Sequence, residues 1–578
     1  MKTKNHNKKQ SFLEGAAVLV IATALVKVLG AVFKIPLGNL IGPEGMGYFQ
    51  TAYDLYLPVY SIALAGMPIA VCRMVASYMG KEQYADARQI LSVARRMFWL
   101  IGIVGTAILI IAAYPYLRII GGDNGALMGI VVIAPCILFC CIMSTYRGYY
   151  EGMCNMTPTA VSQVIEAAGK VVIGLALAFG VAKLGYGPHY QSAAAIAGIM
   201  LGTMLGAVYL RVRIHRLGDG ITPAMMVKCG APTDSRKKAM KALIVIAVPV
   251  IIGSLASQIA GLIDVMTVQR RLSDAVQADP EFFKANFGGM WSDLEAQCVA
   301  EKVSPALIVD TIKSKIPNYL YGCYKGFAFS IYSLLPTITS VIGVSALPVM
   351  TTAFSSGNRQ ETKQTMESVV RITSLLAMPA GFGIAAISEG ILHLLYPAEP
   401  IGAAISAAPL TVLGFAVIFG AMSMPMTNLL QAIGKERIPV INMLIGALIK
   451  IGLNFWLVGE QGVNIVGAAI STLACYVFIC VADYIALVKY TGIRPNFMAA
   501  VIKPLIASSL CGLGAWAAYG LASRAVSMNL ATLISIAVAA VIYLVAVLLL
   551  KIITKNDVLM LPKGEKIAKV LAKFHAIG

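Results

Sequence analysis

The sequence predicts an all-α polytopic membrane protein of about fourteen transmembrane helices, two parallel-repeat six-helix lobes followed by two further helices. Three observations predict it: an apolar, charge-poor composition, apolar runs recurring from end to end, and a duplicated pattern of Pro and Lys. The 578 residues are 58% hydrophobic and 13% charged, whereas roughly a quarter of the residues of a soluble domain carry charge. Each apolar run of about 20 residues is long enough to cross a hydrocarbon core about 30 Å thick as a helix. The runs lack period-2 alternation, which excludes a β-barrel. Expected spans lie near 12–40, 48–77, 97–117, 125–146, 158–182, 191–210, 242–268, 320–353, 368–395, 403–431, 438–458, 464–488, 500–521 and 529–550. The opening MKTKNHNKKQSFLEG has the charge of a signal-peptide start, but the apolar run after it is too long and contains Lys27 and Lys34. A retained first span is expected instead.

The formal net charge of +19 needs a location before it has a meaning. With the N-terminus in the cytoplasm, roughly thirty of the 46 Lys and Arg fall in cytoplasmic segments, and roughly nine fall on the other side. The expected protein is therefore a multi-pass protein of the cell membrane with both termini cytoplasmic. Arg211, Arg213, Arg216, Arg236, Lys237 and Lys238 are topology signals and contacts for anionic membrane lipids. No basic stripe is interleaved with aromatics, so nucleic acid is not an expected partner. The eleven cysteines show neither CxxC nor zinc spacing and read as small core residues.

The chain repeats its plan. EGMCNMTPTAVSQVIEAAGKVVIGLAL (151–177) places Pro158 before an apolar run holding Lys170, and QAIGKERIPVINMLIGALIKIGLNFWL (431–457) repeats the order with Pro439 and Lys450. GMPIAVCRMVASYMGKEQYADARQ (66–89) likewise parallels GVSALPVMTTAFSSGNRQETKQ (343–364). An even number of spans separates equivalent points, so the repeats are parallel and a cleft is expected between two bundles. The expected organisation is an N-lobe over 1–230, a C-lobe over 231–495, and two further spans with a basic cytoplasmic tail over 496–578. An insertion near 272–318, rich in mixed charges, is expected on the outer face as one or two short amphipathic helices. It either caps the cleft or is an inert loop.

An ionisable side chain at mid-helix costs about 2.5–3.5 kcal/mol on insertion scales, so such residues mark cavities or partners. Lys27 lies roughly 22 Å into the first span, too deep to snorkel easily, and Lys34 follows two turns later on nearly the same face. Arg73, Lys170 and Lys450 complete the set of candidate cavity cations. Glu166 stands four residues before Lys170 and is positioned to pair with it. Asp54, Asp264 and Glu389 read as partners for cations or polar helix contacts, while Lys325 and Arg371 sit close to interfaces. A cleft lined by fixed cations attracts an anion, and phosphate or pyrophosphate is the membrane-borne candidate.

LVKVLGAVFKIPLGNLIGPEGMGYFQTAYDLYLPVYSIALAGMPIAVCRMVASY (25–78), SQVIEAAGKVV (162–172) and GLIDVMTVQRRL (261–272), with the duplicated halves, resemble the multidrug/oligosaccharidyl-lipid/polysaccharide exporter superfamily. Within it the chain resembles the lipid II flippases and the stage V sporulation protein B branch. The resemblance implies a V-shaped pair of six-helix lobes, a lipid-facing groove from the two extra helices, and alternating access. It also implies a cluster of cavity cations, with Lys27 matching the first-span member and the second falling at or beside Phe33 and Lys34. The eighth-span cation of that pattern has no counterpart in FAFSIYSLLP (327–336), while Arg73 matches the sporulation-type branch. Some relatives bind sodium between the seventh, eleventh and twelfth spans. Asp264 and Asn454 are the nearest matches, but Lys450 lies one turn from Asn454 and opposes a cation, so no metal site is expected.

The expected function is a flippase that carries a polyprenyl-pyrophosphate-linked sugar precursor, lipid II or a related cell-wall intermediate, from the inner to the outer leaflet. The membrane potential is a candidate driving force, no cofactor is implied, and cell-wall synthases are candidate partners. A drug or cation antiporter of the same fold is the first rival, disfavoured by lysines where such exporters place an acid. A membrane-embedded transferase is the second. Its clustered acid, base or metal set is missing: His6, His189, His215, His393 and His575 are scattered, and no DxD, HxxxE or GxSxG pattern occurs.

Overall fold

The computed structural model describes residues 12–121, 124–229 and 234–552. The basic stretch before Phe12 and the basic tail after Ile552 lie outside the described residues. The chain forms two compact units, one of Met1–Ser273 with Val299–Gly322 and the other of Asp274–Cys298 with Cys323–Gly578.

Unit 1 opens with α1 (Phe12–Ser61), two helices joined at a kink where Gly42 adopts φ 65° and ψ −179°. The positive φ suits glycine, and the extended ψ is what the following Pro43 requires. A π-helical turn, Ile62–Gly66, leads into α2 (Met67–Gly80), which is followed by α3 (Tyr84–Ile120). Pro135 interrupts the next crossing into α4 (Ala126–Ile133) and α5 (Cys136–Gly152), because proline removes a helical donor. Then come α6 (Thr157–Lys183) and α7 (Pro188–Leu217). These two pack backbone to backbone, Gly169 and Gly174 of α6 meeting Gly202 and Gly198 of α7, the close approach that small residues permit between membrane helices. Gln163, Glu166, Ala167 and Lys170, spaced i, i+3, i+4 and i+7, share one face of α6.

The short α8 (Pro223–Cys229) sits in the loop before α9 (Arg236–Ala278). Arg88 of α3 grips Asp219 of this loop through Nε and Nη2, at 2.7 and 2.8 Å. Burial works to raise the Asp219 carboxyl, yet the hydrogen bonds from Arg88 and the Ile221 amide hold it below its ordinary value.

The expected insertion is helical and is shared between the units. α10 (Pro280–Asn286), capped by Asp279, and most of α11 (Gly288–Ala300) belong to unit 2, while α12 (Ile308–Tyr321) belongs to unit 1. α12 is fastened to the α1 kink: Lys315 Nζ lies 3.2 Å from Glu44 Oε1 and 3.1 Å from Glu301 Oε2, and Asn318 Nδ2 donates to the Glu44 carbonyl at 3.0 Å. A Cβ on Gly322 would collide with the Pro43 carbonyl.

Unit 2 continues from a π-helical stretch, Gly322–Ala328, into α13 (Phe329–Tyr332) and α14 (Leu334–Ser355). Asn358 caps α15 (Arg359–Ala386) by accepting from the Glu361 amide at 3.1 Å. The short α16 (Ser388–Leu395) then leads to α17 (Pro400–Ala432), α18 (Arg437–Leu457) and α19 (Asn464–Thr491). A core of Met350, Met366, Leu429, Leu430 and Leu487 joins α14, α15, α17 and α19. The last two helices, α20 (Lys503–Ala522) and α21 (Met528–Leu549), attach through Gly512 against Phe382 and through the Tyr543 hydroxyl, which donates to the Leu375 carbonyl at 2.8 Å.

Among the described residues, twelve helical runs are long and apolar enough to cross a membrane. The expectation was about fourteen. The first two expected spans form one run, Ile21–Gly80, bent at Gly42, and the seventh lies in α9, which is not among the twelve.

Candidate functional site

Unit 1 contains a cavity of about 220 Å³ among α1, α5, α6 and α7. α1 contributes Thr23, Val26, Lys27 and Gly30, then Tyr53, Tyr56 and Tyr60 from beyond the kink. α5 contributes Arg147, and the outward face of α6 contributes Gln163, Glu166, Ala167 and Lys170. Three cations and one carboxylate give the lining a formal net charge of +2.

Arg147 Nη2 lies 3.0 Å from Glu166 Oε2, and Arg147 Nε donates to Ser162 Oγ at 2.8 Å. The i, i+4 spacing suggested Glu166 with Lys170. The bidentate-capable guanidinium from α5 takes the carboxylate instead, since it arrives with a planar fork and a second acceptor beside it. The Lys170 ammonium lies 5.2 Å from the centre of the Phe33 ring and 5.4 Å from that of Tyr53, a cation–π setting. Glu166 remains within electrostatic reach of it.

The other expected residues are placed as follows. Lys27 is exposed and on the cavity lining. Lys34 is half-buried and donates to Gln50 Oε1 at 3.3 Å, outside the lining. Gln50 Nε2 in turn donates to Asp54 Oδ1 at 2.6 Å, and the Tyr321 hydroxyl donates to Asp54 Oδ2 at 2.7 Å. Asp54 thus serves as a buried hydrogen-bond acceptor, and Asp264 of α9 is buried within electrostatic reach of the same Tyr321. Arg73 is exposed on α2 and is not in the lining. Lys450 is half-buried on α18, in unit 2.

Other buried cations were not among the candidates. Arg147 falls one residue past the expected fourth span, but α5 runs on to Gly152 and the residue is 5% exposed. Lys325 and Arg371, read as close to interfaces, are both buried in unit 2, the Lys325 ammonium 4.4 Å from the Phe329 ring centre. Among the described residues, no group of three or more His, Cys, Asp or Glu side chains could hold a metal ion.

The family model described as polysaccharide biosynthesis protein matches residues 12–354, and the MatE model matches 325–456. The lipid II flippase MurJ of Bacillus subtilis is 25% identical over 520 residues, covering 87% of each chain. The stage V sporulation protein B of the same organism is 23% identical over 561 residues, covering 96% of this chain and 98% of that one. Among solved structures, an inward closed lipid II flippase MurJ superposes with a TM-score of 0.62 at 16% identity, over 92% of this chain and 98% of that one. An inward-facing multidrug resistance MATE transporter superposes at 0.60 and 12% identity, over 82% and 98%. Of these four, two are named as lipid II flippases and one as a transporter, and none is named as an enzyme. The chain is a multi-pass membrane protein that belongs to the polysaccharide biosynthesis protein family.

Proposed function

We propose that this protein flips a polyprenyl-pyrophosphate-linked sugar precursor, lipid II or a chemically similar intermediate, from the inner to the outer leaflet by alternating access. The observation that carries this reading is the positive cavity of unit 1, whose lining brings Lys27, Arg147 and Lys170 together with a single carboxylate, Glu166. A pyrophosphate offers the charge and acceptor oxygens that such a lining lacks. Drug or organic-cation antiport is disfavoured by the same sign of charge. Arg73, Lys34 and Lys450, expected as cavity cations, lie outside this lining, so the reading rests on Lys27 and Lys170. Both termini lie in the cytoplasm in this scheme, and a cell-wall synthase takes the product at the outer leaflet.

The test is a proteoliposome flipping assay with a fluorescent polyprenyl-pyrophosphate saccharide. K27A/K170A should insert normally and flip at least about tenfold more slowly, since two charge-assisted contacts are lost. A wild-type rate in that variant would remove the cavity from the mechanism. The energetics adds a second test. One elementary charge crossing 100 mV is worth about 2.3 kcal/mol, so outward movement of the anion and inward return of an empty positive cavity are both downhill in an inside-negative cell. Dissipating the potential should slow flipping, and an unchanged rate would refute potential-driven transport while leaving the substrate assignment intact.

A further inference from the structure

Behind the Tyr56 ring, which lines the cavity, two thiols meet two hydroxyls. Cys136 is the first residue of α5 and Cys140 is one turn on, with their sulfurs 3.9 Å apart. The Tyr56 hydroxyl lies 3.2 Å from Cys136 Sγ and 3.5 Å from Cys140 Sγ, and the Cys136 thiol donates to Thr203 Oγ1 at 3.4 Å. Both cysteines are buried. An ordinary core cysteine is surrounded by apolar groups, whereas here every named neighbour is a donor or acceptor.

We propose that Cys136, Cys140, Tyr56 and Thr203 form a binding site for a thiophilic d10 cation of the zinc group or copper(I). Metal–sulfur bonds of about 2.3 Å and metal–oxygen bonds of about 2.1 Å at tetrahedral angles place the sulfurs about 3.8 Å apart and each sulfur about 3.6 Å from each oxygen. The three edges among Cys136, Cys140 and Tyr56 and the one from Cys136 to Thr203 lie within about half an ångström of those values, so three corners stand in place and Thr203, held to Cys136, supplies the fourth. Two thiolates select soft cations over magnesium or calcium. Each thiol loses its proton to the medium as its sulfur bonds to the metal, and no oxidant or reductant is involved. Tyr56 belongs to α1, the cysteines to α5 and Thr203 to α7. An occupied site therefore ties three helices together at the cavity wall and opposes any rearrangement of it. The i, i+4 spacing on a helix, with hydroxyls completing the set, falls outside the zinc motifs that a sequence displays.

The experiment uses Cd2+ as probe on the purified full chain in detergent, with a thiol-free reductant. Wild type should take up one Cd2+ with a thiolate-to-metal absorption band. C136S or C140S should weaken binding about 100-fold and Y56F about tenfold, while C141S should bind as wild type does. Absence of the band in wild type, or its survival in C136S and C140S, overturns the proposal. Should the variants not fold, phenylarsine oxide on wild type decides, because a bridged peptide must contain both Cys136 and Cys140 and its absence is also fatal. These readouts need no transport, so they stand or fall apart from the flippase reading.

Discussion

The two units solve one problem differently: how to keep an acid inside apolar helices. In unit 1, Glu166 receives a guanidinium from Arg147 at 3.0 Å. In unit 2, the fully buried Asp483 of α19 receives only neutral donors, Thr427 Oγ1 at 3.0 Å and Asn442 Nδ2 at 2.8 Å. The contrast assigns the acids different jobs. Glu166 is half of an ion pair within a cavity lining that carries three cations, whereas Asp483 is a polar junction among α17, α18 and α19.

The largest break in that contrast comes from removing Arg147. R147L leaves Glu166 without its partner in a poorly solvated setting, and breaking a buried pair from one side costs about 3–5 kcal/mol. Because Glu166 keeps access to the cavity, a loss near about 3 kcal/mol is expected in thermal unfolding of the detergent-solubilised protein. R147L/E166Q should recover most of it. A single variant as stable as wild type would show that the pair is not structural. D483N sharpens the other side. Its donors are neutral and the Thr427 hydroxyl can turn to accept, so the stability change should stay within about 1 kcal/mol, the scale of interhelical hydrogen bonds in membranes. A loss matching R147L would mean that Asp483 works as a charge after all.

The helical, membrane-spanning fold was legible because hydropathy and length decide it directly: nothing but a helix satisfies the backbone of a 20-residue apolar run in lipid. The site was legible in part, for the same reason. Lys27 and Lys170 stood out as charges too deep to be idle, and the structure brings both to one cavity. Partner choice was not legible. The i, i+4 rule sees only neighbours on one helix, so it offered Lys170 to Glu166, whereas the true partner arrives from α5. Lys34 shows a similar limit, since its amide partner Gln50 lies beyond the Gly42 kink, which folds α1 back on itself. Arg147 was missed because an apolar window ends at the first polar residue even where the helix goes on. The burial of Lys325 follows from a π-helical turn, a register change that hydropathy does not report.

The smallest expected effect lies in the insertion, at an acid contact unlike either of those above. Glu399 precedes α17, and burial, with the Asp293 carboxylate of α11 adding to it, raises its carboxyl from an ordinary 4.5 to about 7. Burial also raises Asp293. Gly289 of α11 backs onto Ile401 in the same contact. A carboxyl whose folded value is raised stabilises the contact when protonated. That stability is fully present below the ordinary value and is lost as pH climbs through about 7. Amide exchange over residues 288–300 should therefore be slower, after correction for intrinsic rates, near pH 5 than near pH 8. E399Q keeps a neutral side chain of the same shape and should abolish the difference. A pH dependence that persists in E399Q would place the titrating group elsewhere on α11, with Asp293 the first to examine by the same substitution.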